Sequence, residues 1–240
     1  MIELKDLTKR YGNLVAVDNL NLMIPRGEIF GFIGPNGAGK TTTINMIGGI
    51  LAPTLGTVMI CGINMESYPE KAKRKIGFIP ERPYLYEKLT GMEFLKFIAD
   101  LYGVDEDVFL LKSQEKLEMF CLSDWSDDLI ESYSQGMKQR LVMAAALVHD
   151  PEVIIVDEPM VGLDPLAIKM VKNLFRSLAK QGATIFISTH TLKVAEDICD
   201  RIGIIHKGVL IASGTPENLR REINEIDADL EKVFIRLTEA

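Results

Sequence analysis

Gly34-Pro35-Asn36-Gly37-Ala38-Gly39-Lys40-Thr41-Thr42 is the stretch on which the reading of this chain turns. It fits G-x-x-x-x-G-K-[ST], the pattern of a phosphate-binding loop. Glycines let the backbone curl so that successive N–H groups point inward at a phosphate. Lys40 adds a mobile positive charge for the outer phosphates, and the Thr41 hydroxyl is placed to coordinate Mg²⁺. The flanks agree with that reading. Glu28-Ile29-Phe30-Gly31-Phe32-Ile33 before it has the length and apolar content of a strand. Thr42 to Ile47 after it reads as a helix whose positive N-terminal end faces the phosphates. A chance glycine-rich turn would not bring both, so the loop is expected to bind a nucleotide.

The chain has 240 residues, room for one large domain or a domain with a subdomain. Hydrophobic residues make up 47% and charged residues 25%, enough apolar material for a substantial core. A net charge of −7 argues against broad electrostatic binding of nucleic acid. The run Glu70-Lys71-Ala72-Lys73-Arg74-Lys75 is a local basic patch, read as a solvated helix face. No stretch approaches the ~20 apolar residues that cross a bilayer. The longest, Leu141 to Val148, reads as a buried helix, and the N-terminus lacks signal-peptide architecture. Cys61, Cys121 and Cys199 are widely spaced, which suggests a reducing compartment and buried thiols. A cytoplasmic location is expected.

Residues 2–24 alternate polar and apolar positions, predicting two or three half-buried strands that turn at Tyr11-Gly12-Asn13. Tyr11 is either a surface tyrosine bracing that turn or an aromatic platform for a base. Pro53 to Gly56 predicts a turn, Thr57 to Ile60 a strand, and Lys75 to Pro80 another strand stopped by proline. From about Leu89 to Asp150 helical periodicity takes over. Thr90-Gly91-Met92-Glu93 is a capping box, and Phe94, Phe97, Ile98 and Leu101 then mark one apolar face, read as core. A second helix is expected from about Asp107 to Phe120, followed by a Ser/Asp-rich loop in which Trp125 is read as packing. Tyr133 to Arg140 opens a third. Val153-Ile154-Ile155-Val156 has the signature of a strand buried on both faces. A helix over 166–180, a strand over 184–188, a helix over 194–199 and a hairpin at His206 to Val209 follow. Strands alternating with helices predict a mainly parallel sheet with its ligand beyond the strands' carboxyl ends. The tail from Pro216 reads as helical and charged, with Leu230, Val233, Phe234 and Leu237 as its apolar face.

A phosphate loop needs partners before it hydrolyses anything. Asp157, after four apolar strand residues, suits the second Mg²⁺ contact. Glu158 beside it is placed to take a proton from an attacking water, since adjacent strand-end residues point in different directions. His190, at the carboxyl end of a later strand, is placed to hydrogen-bond the γ-phosphate. His149 and His206 have no such context and are read as structural.

Together these residues resemble the ATP-binding cassette (ABC) family over nearly the whole chain. Ser134-Gln135-Gly136-Met137 occupies the place of that family's signature motif, and Lys138-Gln139-Arg140 after it also matches. Gly162-Leu163-Asp164 looks like its D-loop and His190 like its switch histidine, which makes Tyr11 the aromatic that stacks on adenine. The resemblance implies a P-loop fold with an N-terminal antiparallel β subdomain and an inserted α-helical subdomain. The implied division is an ATPase domain over 1–220, with core 1–85 and 150–220 and helices within 86–149, and a helical tail over 221–240. It also implies that two copies, or this chain and a related cassette, pair head to tail. Each ATP then lies between one phosphate loop and the other subunit's Ser134, Gln135, Gly136 and Met137, with Asp164 nearby.

Two positions depart from the family's common pattern. Gln135 stands where the signature's first glycine is usual, and Glu81 where most members carry a glutamine. A carboxylate at 81 can bind Mg²⁺ but adds negative charge beside the γ-phosphate. Both variants look like the branch paired with type-2 exporter permeases. The resemblance therefore implies an ATP- and Mg²⁺-using ATPase subunit of an exporter, held at the inner face of the cell membrane by a separate permease that docks around Glu81 to Lys88. The alternative is an ABC ATPase of DNA maintenance or of the ribosome. The first should carry a long coiled-coil insert and the second two cassettes with a basic linker, and neither feature is present in this sequence.

Overall fold

Two patterns of apolar residues divide the strands into two sheets. The structure, a computed structural model, describes residues 1–82, 84–160, 162–222 and 229–239. In β1 (Ile2–Tyr11), β2 (Leu14–Ile24) and β4 (Leu55–Ile60), buried and exposed side chains broadly alternate. With β5 (Ile63–Asn64) they form an antiparallel sheet in the order β2-β1-β4-β5. In β3 (Ile29–Ile33), β7 (Val153–Asp157) and β8 (Thr184–Thr189) every residue is buried, as expected of strands covered on both faces. These join β6 (Ile76–Ile79), β9 (Arg201–His206) and β10 (Val209–Gly214) in the order β10-β9-β3-β8-β7-β6. All neighbours in that sheet are parallel except β10, an antiparallel edge.

The central strands sort their side chains by face. Phe30, Phe32, Ile155, Phe186 and Ile205 point toward the antiparallel sheet, and α1 (Lys40–Ile47) fills the layer between with Ile44, Met46 and Ile47. Phe186 lies between Phe30 and Phe32, with ring centroids 5.9 and 5.4 Å away. Ile29, Ile33, Ile154, Val156, Ile185 and Ile187 point the other way, into the helical side. Each such fully buried side chain contributes about 1.5–3 kcal/mol, so the sheet that carries the phosphate loop is firmly held from both faces.

After the short α2 (Pro69–Lys73), the helical region contains α3 (Gly91–Tyr102), α4 (Glu106–Met119) and α5 (Gln135–Leu147). The capping box is formed: Glu93 N–H donates to Thr90 Oγ1 at 3.1 Å and Thr90 N–H to Glu93 Oε2 at 2.8 Å. The core face of α3 differs from the expected one. Phe94, Leu95 and Ala99 are buried, whereas Phe97 is 38% and Leu101 64% exposed. Leu95 and Ala99 form a second apolar stripe, and packing on α5 selects it; Phe97 instead meets Tyr86 edge-on at 5.4 Å. From Leu141 to Val148 everything is buried, as read. Trp125 is partly exposed rather than packed away, and of the thiols only Cys199 is buried, Cys121 being exposed.

The chain continues through α6 (Pro165–Lys180), α7 (Leu192–Ile198), α8 (Pro216–Glu222) and α9 (Leu230–Glu239). Leu230 and Val233 are buried, and Phe234 and Leu237 pack against the core beside them. Residues 223–228 of the tail read as helical lie outside the described residues, as does Pro83 in the segment expected to dock a permease. No helix among the described residues is long and apolar enough to cross a membrane.

Candidate active site

The phosphate loop leaves the carboxyl end of β3, and two of its glycines are required by what surrounds them. A Cβ on Gly34 would run into the Ile205 carbonyl, and one on Gly39 would lie 2.5 Å from the Ala16 oxygen. Gly39 also holds φ at +107°, a conformation L side chains rarely adopt. The loop is pinned from outside as well: Gly208 N–H donates to the Ala38 carbonyl and Asp18 N–H to that of Gly208, at 3.0 and 2.9 Å. Thr43 and Ile44 bury the first turn of α1. The Lys40 ammonium donates to the carbonyls of Gly34 and Pro35 at 2.7 and 3.1 Å. Burial lowers its pKa, and the carboxylates of Glu158 and Asp157 oppose that. Phosphate oxygens would compete for these contacts.

A cavity of about 470 Å³ opens beside the loop, lined by Asn36, Gly37, Gly39, Lys40, Thr41 and Thr42 on one side and by Tyr11, Ala16 and Lys207 on the other. Tyr11 is the last residue of β1, paired with Leu14, rather than part of the turn itself. Its ring is half exposed, with the Lys9 ammonium 5.4 Å from the ring centroid. Lys207 and Gly208, at the tip of the β9–β10 hairpin, had no functional reading in the sequence. Only the sheet order brings that hairpin beside the loop.

The second half of the constellation comes from β6, β7 and β8. Asp157 pairs with Ser188, and Ile33 at the end of β3 pairs with Thr189, so all these strands end at one level. Glu81 is exposed two residues beyond Ile79, whose partner is Val156. Burial pushes the Asp157 carboxyl up, and Glu158 and Glu81 add to this. Lys40 and the Ser188 hydroxyl oppose the rise, although Ser188 Oγ is buried without a hydrogen-bond partner of ordinary geometry among the described residues.

Glu158 is buried and sits at φ +50°, a strained conformation for a residue with a side chain, held by its N–H donating to the Ser188 carbonyl at 2.9 Å. Both oxygens of its carboxylate are engaged. Oε1 accepts from His190 N–H at 2.8 Å and lies 2.6 Å from His190 Nδ1, while Oε2 accepts from Thr189 Oγ1 at 2.9 Å. The sequence had brought out Glu158 and His190 but not Thr189.

Ser134, Gln135, Gly136 and Met137 form the start of α5, with Ser134 as N-cap: its Oγ accepts from Met137 N–H at 3.3 Å. Ser134 and Gln135 are exposed, and none of the four lines the cavity beside Lys40. Their neighbour is the 162–164 loop; a Cβ on Gly136 would stand 3.7 Å from the Gly162 oxygen. The Asp164 carboxylate accepts from Ala167 N–H at 2.8 Å and caps α6. Within one chain, then, the phosphate loop, Asp157, Glu158 and His190 gather at one end of the sheet, and the 134–137 segment stands apart from the nucleotide cavity.

Known proteins share this fold. The ABC transporter family profile matches residues 17–161. The bacitracin transport ATP-binding protein BcrA of Bacillus licheniformis is 43% identical over 92% of this chain and 72% of its own length. The probable multidrug ABC transporter ATP-binding protein YbhF of Escherichia coli is 37% identical over 99% of this chain, which spans 41% of that protein. A solved ATP-binding subunit of an ABC transporter superposes with a TM-score of 0.94 at 36% identity, covering 99% of both chains. The dimeric ABC transporter cassette MJ0796 does so at 0.81 and 30% identity, over 90% of this chain and 98% of its own. This chain belongs to the ABC transporter family and has the fold of its ATP-binding cassettes.

Proposed function

We propose that this chain is the ATP-binding and ATP-hydrolysing subunit of an exporter, working as a head-to-tail pair beneath a separate membrane permease. The observation that carries the proposal is the separation just described: a phosphate loop with its acidic and histidine partners in one place, and the exposed N-terminus of α5 in another. In a pair, the N-terminus of α5 from one copy closes the cavity of the other, and its dipole favours a triphosphate.

Mg²⁺ suits the donors present. It keeps several waters and takes one or two carboxylates together with phosphate oxygens. The Thr41 hydroxyl, Asp157 and Glu81 would hold it, and Ser188 Oγ beside Asp157, buried without a hydrogen-bond partner of ordinary geometry among the described residues, marks a polar site. When bound, it neutralises charge building on the phosphates. Lys40 and the loop amides bind the β- and γ-phosphates, and Tyr11 stacks on adenine. Glu158 accepts the proton of the water that attacks the γ-phosphorus as the bond to ADP breaks. His190, whose side chain is 61% exposed, turns its imidazole from Glu158 to the γ-phosphate.

A groove of about 240 Å³ lined by Phe78, Tyr84, Phe94, Ile98 and Tyr102 lies where β6 meets the helical region. With exposed Tyr86 and Phe97 around it, this is the surface we assign to the permease. That partner would hold the chain at the inner face of the cell membrane. A transport role is favoured by the named functions of BcrA, bacitracin transport, and YbhF, a probable multidrug transporter, and the exporter branch by Glu81 and Gln135. The test is Glu158→Gln: steady-state hydrolysis falls by roughly 10²–10⁴-fold, the loss expected of a missing general base, while ATP binding persists. Wild-type turnover in that variant would contradict the assignment.

A further inference from the structure

A general base must be held as well as placed, and the structure assigns that task to a residue outside the motifs. We propose that Thr189 is a positioning residue for Glu158, a role that rests on Glu158 being the base. Thr189 is the last residue of β8 and only 2% exposed. Its backbone pairs with Ile33, the residue that precedes the phosphate loop. Its Oγ1 accepts from Thr191 N–H at 3.0 Å and donates to Glu158 Oε2 at 2.9 Å. Because the amide occupies a lone pair, the hydroxyl proton is left to the carboxylate. The branched side chain also has little freedom at χ1. One residue thereby ties the carboxylate to the end of β3 and so to the strand that carries the nucleotide.

The three bonds to Glu158 divide by mobility. The His190 N–H and the Thr189 hydroxyl belong to a buried strand end and its backbone. The His190 imidazole is the exposed member. When the imidazole turns to substrate, Oε1 keeps the amide and Oε2 keeps the hydroxyl. Thr189 therefore prevents the carboxylate from rotating at the moment its partner leaves. A hydrogen bond to an ionised group is worth more than a neutral one, and losing it at this moment raises the barrier.

The experiment compares Thr189→Val, which keeps the shape and removes the hydroxyl, with Thr189→Ser, which keeps the hydroxyl, alone and with Glu158→Gln. Valine is expected to lower kcat about tenfold, the scale of one charge-assisted hydrogen bond, with the KM for ATP within about twofold. Serine is expected to stay within about threefold of wild type. In the Glu158→Gln background, valine is expected to cause no further loss of the residual rate, because its effect passes through the carboxylate. Should valine impair folding, Thr189→Ala with intact ATP binding replaces it. Wild-type kcat in the valine variant beside an inactive Glu158→Gln would overturn the role of Thr189 alone. The same tenfold loss in both backgrounds would also overturn it, by showing an effect independent of the base. Wild-type turnover in Glu158→Gln would instead overturn the general base, and the positioning role with it.

Discussion

Two helix N-termini in this chain are suited to phosphate, and the molecule treats them in opposite ways. The one at Lys40 follows a fully buried strand, and its loop is fastened to Ala16 by close packing and by a backbone hydrogen bond to Gly208, itself held by Asp18. The one at Gln135 sits at the surface, where the Met137 amide donates to its own chain's Ser134 Oγ. Anchorage of the first kind preorganises a binding site within a single chain. Exposure of the second kind makes sense when another molecule brings the ligand. On the proposed head-to-tail pairing, the difference lets one chain hold ATP and yet supply only half of a catalytic site.

Breaking the first terminus should have the largest effect. Gly39→Val drives a Cβ toward the Ala16 oxygen at a φ that valine does not accept. The expected outcome is loss of ATP binding, read as the disappearance of the ATP-induced rise in melting temperature. Breaking the second should be selective. Ser134→Arg should reduce hydrolysis by roughly 10²-fold, as for loss of preorganised donors to phosphate. ATP affinity of the isolated chain, measured by titration calorimetry, should stay within about twofold. A fall in that affinity would place Ser134 in its own chain's pocket.

Smaller effects sharpen the comparison at the seam between sheet and helices. His149 stacks on Tyr102 with centroids 3.6 Å apart, and its Nε2 lies 3.0 Å from the Ile76 carbonyl at the start of β6. Burial pushes its pKa down to about 4, below the ~6.5 of an unfolded chain. Between those values the unfolded chain takes up the proton first, so stability is complete above the upper one and is lost as pH falls toward the lower. From pH 7 to 4.5, wild type should lose about 2 kcal/mol more than His149→Gln in urea titrations. At the far end of α3, Thr90→Ala removes one side of the capping box and should cost about 1 kcal/mol by the same assay.

What could be read from sequence was local chemistry. The phosphate loop, the buried run from Val153 to Asp157 and the Thr90/Glu93 box each declare themselves within ten residues, because turn geometry, burial and capping act at that range. The α3 face was misjudged at Phe97 and Leu101 because Leu95 and Ala99 offered a competing stripe, and only the packing of α5 selects between them. Cys121 could not be known as exposed for the same reason. Thr189 was visible as a neighbour of His190, but its bond to Glu158 spans 31 positions and follows from β7 lying beside β8. Lys207 enters the nucleotide cavity because β9 lies beside β3. Sheet order places residues where no spacing rule can.

The head-to-tail division of the site can be tested by mixing two broken chains. Both carry Glu158→Gln so that ATP is retained; one adds Gly39→Val and the other Ser134→Arg. Neither alone should pair, and each should scatter light as a 26.8 kDa monomer with ATP present. Their mixture contains one intact phosphate loop and one intact α5 terminus on opposite chains, and it should move to about twice that mass. A mixture that stays monomeric, while Glu158→Gln by itself pairs in ATP, would contradict the account.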